Sequence, residues 1–255
     1  MKVVAIVQVR MGSTRLPGKS LIDIAGQPLL AHVIDRVCAS AYVQDIVVAT
    51  TTNPEDDPIE ELAQKRKVVC YRGSVADVLD RYFQAARLAQ ADIIVRITAD
   101  DPFKDPDVID LVVRCLLADE TLAYASNTIE PTFPEGLDVE AFRFAALERA
   151  WQEARLPSER EHVTPYLWKH QELFHLANIR HSEDLSKLRW TLDYEQDLEF
   201  AREVYRRLYR GQVFKMDEIL RLLRKEPQLA AINAGFQRNA GYNQSLQKEQ
   251  SPDAQ

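Results

Sequence analysis

A chain of 255 residues with 46% hydrophobic content can bury a sizeable core, which fits one large α/β domain or one domain with a small appendage. Its formal net charge of -7 excludes an extended positive field, and with it non-specific binding to nucleic acid or to an anionic membrane. The opening MKVVAIVQVR is too short, and too soon interrupted by Arg10, to be a signal peptide or membrane span, so the expected compartment is the cytoplasm.

Taken in chain order, β-branched runs alternate with amphipathic stretches: VVAIVQV at 3–9, DIVVAT at 45–50, KVVCY at 67–71, DIIVRIT at 92–98 and TLAYAS at 121–126. These predict buried parallel strands. Helical patterns near 28–40, 56–66, 74–90 and 107–118 lie between them, an alternation that implies an α/β fold, a mostly parallel sheet flanked by helices. Ser74 and Asp107, each three residues before an aspartate, are the expected N-caps. Beyond residue 126 come a Pro-rich segment, IEPTFPEGLDVEAF, helices near 143–155 and 159–170, a strand pair near 173–192, and helices near 195–210 and 216–225. The expected organisation is therefore one domain over 1–225, within which 128–182 extends the fold toward the acceptor and a dimer partner. Residues 226–255 lose periodicity and read as a polar, partly disordered tail. Cys38, Cys70 and Cys115 have no paired spacing, which argues against a disulfide framework or a structural zinc site and leaves them core roles.

The first strand runs into RMGSTRLPGKSL, where Gly12 and Gly18 can take backbone angles other residues resist and Ser13, Thr14 and the amides can converge on an anion. Arg10, Arg15 and Lys19 add three cations in ten residues without a carboxylate, at the edge where open parallel sheets hold their ligands. A triphosphate is the obvious candidate. The P-loop pattern fails, since five residues rather than four separate the glycines and one of them is Pro17; the dinucleotide fingerprint is absent as well.

VQVRMGSTRLPGKSLIDIAGQPLLAHVIDRV resembles the opening of the CMP-sugar synthetases, notably the 3-deoxy-manno-octulosonate and acylneuraminate cytidylyltransferases, and is most similar to their spore coat polysaccharide protein F branch. The resemblance continues through YRGSVADVLDRYFQAA, RITADDPFKDPDVIDLVV, EGLDVEAF, EREHVTPYLW and TLDYEQDLEFAREVY, to about residue 220. It implies a Rossmann-like nucleotidyltransferase sheet, Mg²⁺ as cofactor, CTP as the favoured donor, a sugar or sugar acid as acceptor, and a homodimer.

ADDP stands where that family has its G-D-x-P metal motif, and LDYEQDLE where it has D-x-x-x-D-L-E, which makes Asp100 and Asp193 the expected metal pair. Ala99, Tyr194 and Gln196 depart from the pattern without touching either aspartate. Mg²⁺ suits such a pair, because it takes one or two protein carboxylates and fills its other positions with water and phosphate. Asp101 reads equally as a supporting partner or a turn residue, and Asp197 as a helix cap. Carried over from the family, Arg10, Gly12, Ser13, Arg15 and Lys19 would hold the phosphates, with Lys19 and Arg10 acting on the charge that builds during transfer. Arg72, Arg81, Asn127, Glu140 and His162 are the candidate acceptor linings, an arginine being the natural partner of a sugar-acid carboxylate. Uridine or guanosine in place of cytidine, a glycosyltransferase using a nucleotide sugar, and a non-catalytic sugar-nucleotide-binding subunit are the competing readings.

Overall fold

The computed structural model describes residues 1–13 and 15–250. Its first half repeats strand and helix: β1 (Val3–Gln8), a small hairpin of β2 (Asp23–Ile24) and β3 (Gln27–Pro28), α1 (Leu29–Cys38), β4 (Asp45–Thr51), α2 (Asp57–Lys65), β5 (Val69–Gly73), α3 (Val78–Leu88), β6 (Ile93–Thr98), α4 (Pro106–Ala118) and β7 (Leu122–Ser126). The second half adds β8 (Glu140–Arg143), α5 (Phe144–Glu153), α6 (Pro157–His162), α7 (Pro165–Lys169), β9 (His175–Asn178), α8 (Glu195–Leu208), α9 (Met216–Lys225), α10 (Gln228–Ala231) and α11 (Ala240–Gln250).

Seven strands form one sheet in the order β5-β4-β1-β6-β8-β7-β9. β1 runs parallel to both β4 and β6, with Val7 opposite Val48 on one side and Ile97 on the other, so its apolar run is buried on two faces, as an interior parallel strand requires. One core packs α1, α4, α8 and α9 against one face of the sheet, and a second packs α3, α5 and α7 against the other. β8 is antiparallel to both β6 and β7 and separates them, so the predominantly parallel sheet carries one reversed strand.

Several local expectations shift. The N-cap of α3 is Asp77, which accepts from the Asp80 amide at 2.9 Å, while the Ser74 hydroxyl accepts from Asp77 one turn earlier. The N-cap of α4 is Asp105, and Asp107 lies in the first turn, paired with Lys215. The helix expected at 159–170 is broken by Val163, whose φ of 72° a β-branched residue seldom adopts. Within 173–192 the chain forms β9, then an extended segment tied to Glu135 by a single bridge at Arg189. Cys38 is exposed rather than in the core. Beyond Glu226, where sequence periodicity fades, the chain still forms α10 and α11. Polar and aromatic contacts both hold α11: Ser158 donates through its amide and hydroxyl to Glu249 at 3.1 and 3.0 Å, and the Tyr242 ring meets His162 and Trp168.

Candidate active site

The loop after β1 is shaped by a few anchored atoms. Leu16 is buried, the Ser13 and Gly18 amides both donate to the Met11 carbonyl, and the Met11 amide donates to buried Asp56 at 2.7 Å. Gly18 alone of the two glycines sits in the left-handed region, φ 69°, and turns the chain into the short helix that begins at Lys19. Thr14 lies outside the described residues.

That turn delivers Lys19 to the meeting point of two carboxylates. Its Nζ donates to Asp100 at 2.7 Å, to Asp193 at 2.8 Å and to the Leu192 carbonyl at 3.0 Å. Asp100 follows β6; Asp193 precedes α8; the two segments are joined by the Leu192 amide donating to the Asp100 carbonyl at 2.8 Å. Burial alone would disfavour the ammonium, yet the two aspartates outweigh it and raise Lys19 above its usual pKa. Burial likewise acts to push Asp193 up, but Lys19 and Arg15 prevail and hold it down to about 2.

Behind this pair stands Arg189, which sequence reading missed. It is bound to Asp197 at 2.9 Å, Glu135 at 2.7 Å and Asp193 at 3.2 Å. Asp197 is the helix-start residue expected, accepting from the Asp193 and Tyr194 amides at 2.9 and 3.0 Å, and it also takes a hydrogen bond from Asn233 at 2.8 Å. The only sequence hint of Arg189 is its place four residues before Asp193 in KLRWTLD. Asp101 is buried, accepting from Thr98 at 2.5 Å and paired with Lys104 at 2.8 Å; burial and the charge of Asp100 push it up to about 6.

One cavity opens on the cluster, and a second adjoins that cavity. The larger, about 580 Å³, is lined by Arg15, Asp100, Asp193, Glu140, Trp168 and His162, among others. Glu140 accepts from Arg96, Tyr124 and Thr164 at 2.5 to 2.6 Å, so its oxygens are already engaged. The second, about 520 Å³, is lined by Gln8, Arg10, Asp77, Arg81 and Arg160, and also by His162, which therefore stands where the two adjoin. Burial and then the charge of Arg96 hold the His162 imidazole down to about 4, so it is neutral near pH 7.

Of the candidates read from sequence, the structure gathers Arg15, Asp100, Asp193, Glu140 and His162 around the larger cavity, with Lys19 bound to the two aspartates behind its lining, and Arg10 and Arg81 at the second. Arg72 and Asn127 line neither. Arg72, on edge strand β5, is held by Asp57 and Glu60 of α2 at 2.7 and 2.9 Å, and Asn127 is spent on the Leu137 carbonyl and the Val139 amide, each at 2.8 Å. Gly12 approaches Glu55, where an added Cβ would come within 3.2 Å of its carboxylate, and the Ser13 hydroxyl accepts weakly from the Leu16 amide at 3.4 Å.

Known proteins share this architecture. The cytidylyltransferase family model matches residues 4–231. The chain is 30% identical over 237 residues to the spore coat polysaccharide biosynthesis protein SpsF of Bacillus subtilis, covering 88% of this chain and 95% of that one. It is 33% identical over 133 residues to a 3-deoxy-manno-octulosonate cytidylyltransferase of Anaeromyxobacter, covering 51% and 53%. The solved structure of a cytidylyltransferase from Leptospira borgpetersenii superposes with a TM-score of 0.88 at 34% identity, covering 93% of this chain and all of that one. With a matching family model over nearly its whole length and a relative of the same extent, the chain belongs to the cytidylyltransferase family.

Proposed function

We propose that this nucleotidyltransferase transfers the cytidylyl group of CTP to a hydroxyl of a sugar or sugar acid, releasing pyrophosphate, in the biosynthesis of a surface polysaccharide. The observation that carries the reading is the convergence of Asp100 and Asp193 on one cation, Lys19, beside a cavity of small-molecule size. Among the described residues no group of three or more His, Cys, Asp or Glu side chains is arranged to hold a metal alone. Two carboxylates suit Mg²⁺ nonetheless, because nucleotide phosphates and water supply the remaining oxygens. Asp100 and Asp193 would hold it, and the ion would screen the phosphates and favour an in-line approach.

In this reading Arg10, Gly12, Ser13, Arg15 and Lys19 cradle the triphosphate. Lys19, fixed by the turn at Gly18, opposes the charge that develops as the acceptor oxygen attacks the α-phosphorus and the bond to the β-phosphate breaks. The second cavity takes the nucleoside. Among the described residues Gln8 Oε1 and Arg81 Nε, buried in its wall, have no hydrogen-bond partner, and a base edge that reached them would satisfy an acceptor and a donor. Arg81 thereby moves from the acceptor side to the nucleotide side. The larger cavity takes the acceptor, with Glu140 and His162 in its wall. The enzyme is further expected to be a homodimer, which light scattering on the purified chain checks, and to act in the cytoplasm, which cell fractionation checks; among the described residues no helix is long and apolar enough to cross a membrane.

A thermal-shift panel of CTP, UTP, GTP and ATP, each with and without Mg²⁺, tests the reading, since a ligand of the folded state raises stability with saturation. A CTP-selective, Mg²⁺-dependent shift is expected, followed by pyrophosphate release with an acceptor. A shift with nucleotide sugars alone would refute cytidylyl transfer and point to glycosyl transfer.

A further inference from the structure

The larger cavity is charged unevenly. Two arginines line it, Arg15 and Arg96, against six carboxylates, those of Asp100, Asp101, Glu135, Asp138, Glu140 and Asp193. Both arginines are already paired within the same wall, Arg15 with Asp193 at 2.5 Å and Arg96 with Glu140 at 2.5 Å. The cations that balance the other four carboxylates, Lys19, Lys104, Arg189 and Arg238, stand behind the lining, none of them more than 17% exposed. Negative charge thus faces the cavity, and the positive charge that neutralises it is withdrawn into the protein.

The second cavity has the opposite character. Arg10, Arg81, Arg155 and Arg160 line it with Asp77 and Glu161. Among the described residues only Arg160 of these four is bound to a carboxylate, that of Asp77 at 2.5 Å; Arg81 donates to the Ser74 carbonyl and Arg155 to the Gln152 carbonyl, each at 2.8 Å. The two arginines that the sequence offers to a sugar-acid carboxylate also lie outside the larger cavity, Arg81 here and Arg72 with Asp57 and Glu60. Spare positive charge is therefore found where the nucleotide is placed and not where the acceptor is. A carboxylate brought into the larger cavity would give up water without gaining a cation, and would meet like charges.

One carboxylate of this wall is also open to a ligand. Asp138 is 27% exposed; its Oδ1 pairs with Arg238, while its Oδ2 has no donor among the described residues and is not sealed from solvent. We infer that the acceptor is a sugar without a carboxylate, and that Asp138 is a specificity-determining residue: its Oδ2 accepts from a sugar hydroxyl, and its charge turns a sugar acid away. The inference rests on the cytidylyl-transfer reading and narrows its acceptor. A hydroxyl donates to a carboxylate in a charge-assisted bond, whereas a second carboxylate has no proton to give. Selection of this kind works through the charge left unpaired by the wrong acceptor. Asp138 does not line the second cavity, so acceptor and nucleotide affinities are separable by mutation.

The test uses the full chain, first saturated with α,β-methylene-CTP and Mg²⁺, then titrated calorimetrically with sugars in matched pairs that differ only in a terminal hydroxymethyl or carboxylate. The pairs are N-acetylmannosamine and N-acetylmannosaminuronate, glucose and glucuronate, and galactose and galacturonate; 3-deoxy-manno-octulosonate and N-acetylneuraminate join them as further acids. The parent should bind at least one uncarboxylated sugar about tenfold or more tighter than its acid partner, and tighter than either further acid. Asp138→Asn keeps the shape and removes the charge, so that sugar should bind about three- to tenfold more weakly and the discrimination against its acid should narrow about tenfold, with nucleotide affinity unchanged. A parent that binds an acid as tightly as its partner, or that binds no uncarboxylated sugar, overturns the inference without recourse to any variant. A preference left intact by Asp138→Asn, or an equal loss of nucleotide affinity, overturns the role of Asp138. Failure of the parent to bind the nucleotide at all refutes the cytidylyl-transfer reading instead, and shows before any sugar is added.

Discussion

Asp193 is the carboxylate on which the cluster turns, and Asp193→Asn should cost stability as well as activity. A sheet-edge aspartate read from sequence supports little packing, but this one is only 16% exposed, with Arg15 at 2.5 Å, Lys19 at 2.8 Å and Arg189 at 3.2 Å. Burial works to raise its pKa, but Lys19 and Arg15 prevail and take it from the usual 3.8 to about 2. At roughly 1.4 kcal/mol per tenfold change in proton affinity, that fall contributes about 2 kcal/mol to folding. Because the pKa is depressed on folding, the contribution is complete above about pH 4, falls to about half by pH 3 and is lost as the pH passes below about 2. Asparagine should therefore lower the unfolding free energy by about 2 kcal/mol at pH 7 and the melting temperature by about 5 °C, with the gap narrowing in acid. Urea unfolding of both proteins at pH 7, 5 and 3 measures it. A variant as stable as its parent at pH 7, or a gap of the same size at pH 7 and pH 3, would refute the electrostatic account.

Three other substitutions probe different parts of the molecule. Lys19→Met removes the ammonium shared by Asp100 and Asp193 and should slow pyrophosphate release on the order of a hundredfold; a loss smaller than tenfold means that Lys19 does not act on the transferring phosphate. Arg81→Met takes away the unpaired donor of the second cavity and should shrink the CTP-induced thermal shift relative to that of UTP, whereas an unaltered preference removes Arg81 from base reading. Gly136→Ala forces a Cβ to within 2.6 Å of the Trp190 backbone at a φ of 100°, so calorimetry should show a loss of several degrees or no cooperative transition; a melting point within 1 °C of the parent's would contradict the packing described.

The strands legible in the sequence are the ones whose chemistry is local. β1, β4, β5, β6 and β7 are β-branched or apolar runs bounded by polar turns, and each lies where its run predicts. β8 escapes because it is four residues long, follows a Pro-rich segment and starts with Glu140, a carboxylate buried only because Arg96, Tyr124 and Thr164 meet it from other elements. The same division governs the site. Lys19, Asp100 and Asp193 are visible as charges at the ends of elements, where an open sheet exposes its edge. Arg72 and Arg81 are alike in YRGSVADVLDR, and only the fold separates them: α2 brings carboxylates to the first, while α3 turns the second inward. The polarity of residues 239–249 suggests a solvated tail, yet much of it is spent on partners distant in sequence.

The C-terminal segment also bears on the aspartate pair through a relay of buried groups. Asn233 donates to Asp197, Asp197 accepts from the Asp193 backbone and holds Arg189, and Arg189 reaches the Asp193 carboxylate. On the other side Arg238 pairs with Asp138, and the Asp138 carbonyl accepts from Lys104, the partner of Asp101 next to Asp100. In a low-dielectric interior each of these groups is costly to leave unpaired, so moving one end of a chain of pairs forces the rest to find new partners. A change at Asn233 or at Arg238 therefore reaches, through buried pairs, the groups that flank Asp193 and Asp100. The segment beyond residue 231 and the placement of Asp100 and Asp193 are in this way linked through buried pairs. That linkage predicts that Asn233→Ala, at a buried position that does not line the larger cavity, slows turnover at saturating acceptor while leaving the acceptor KM nearly unchanged; a rise in KM with unchanged kcat would refute it.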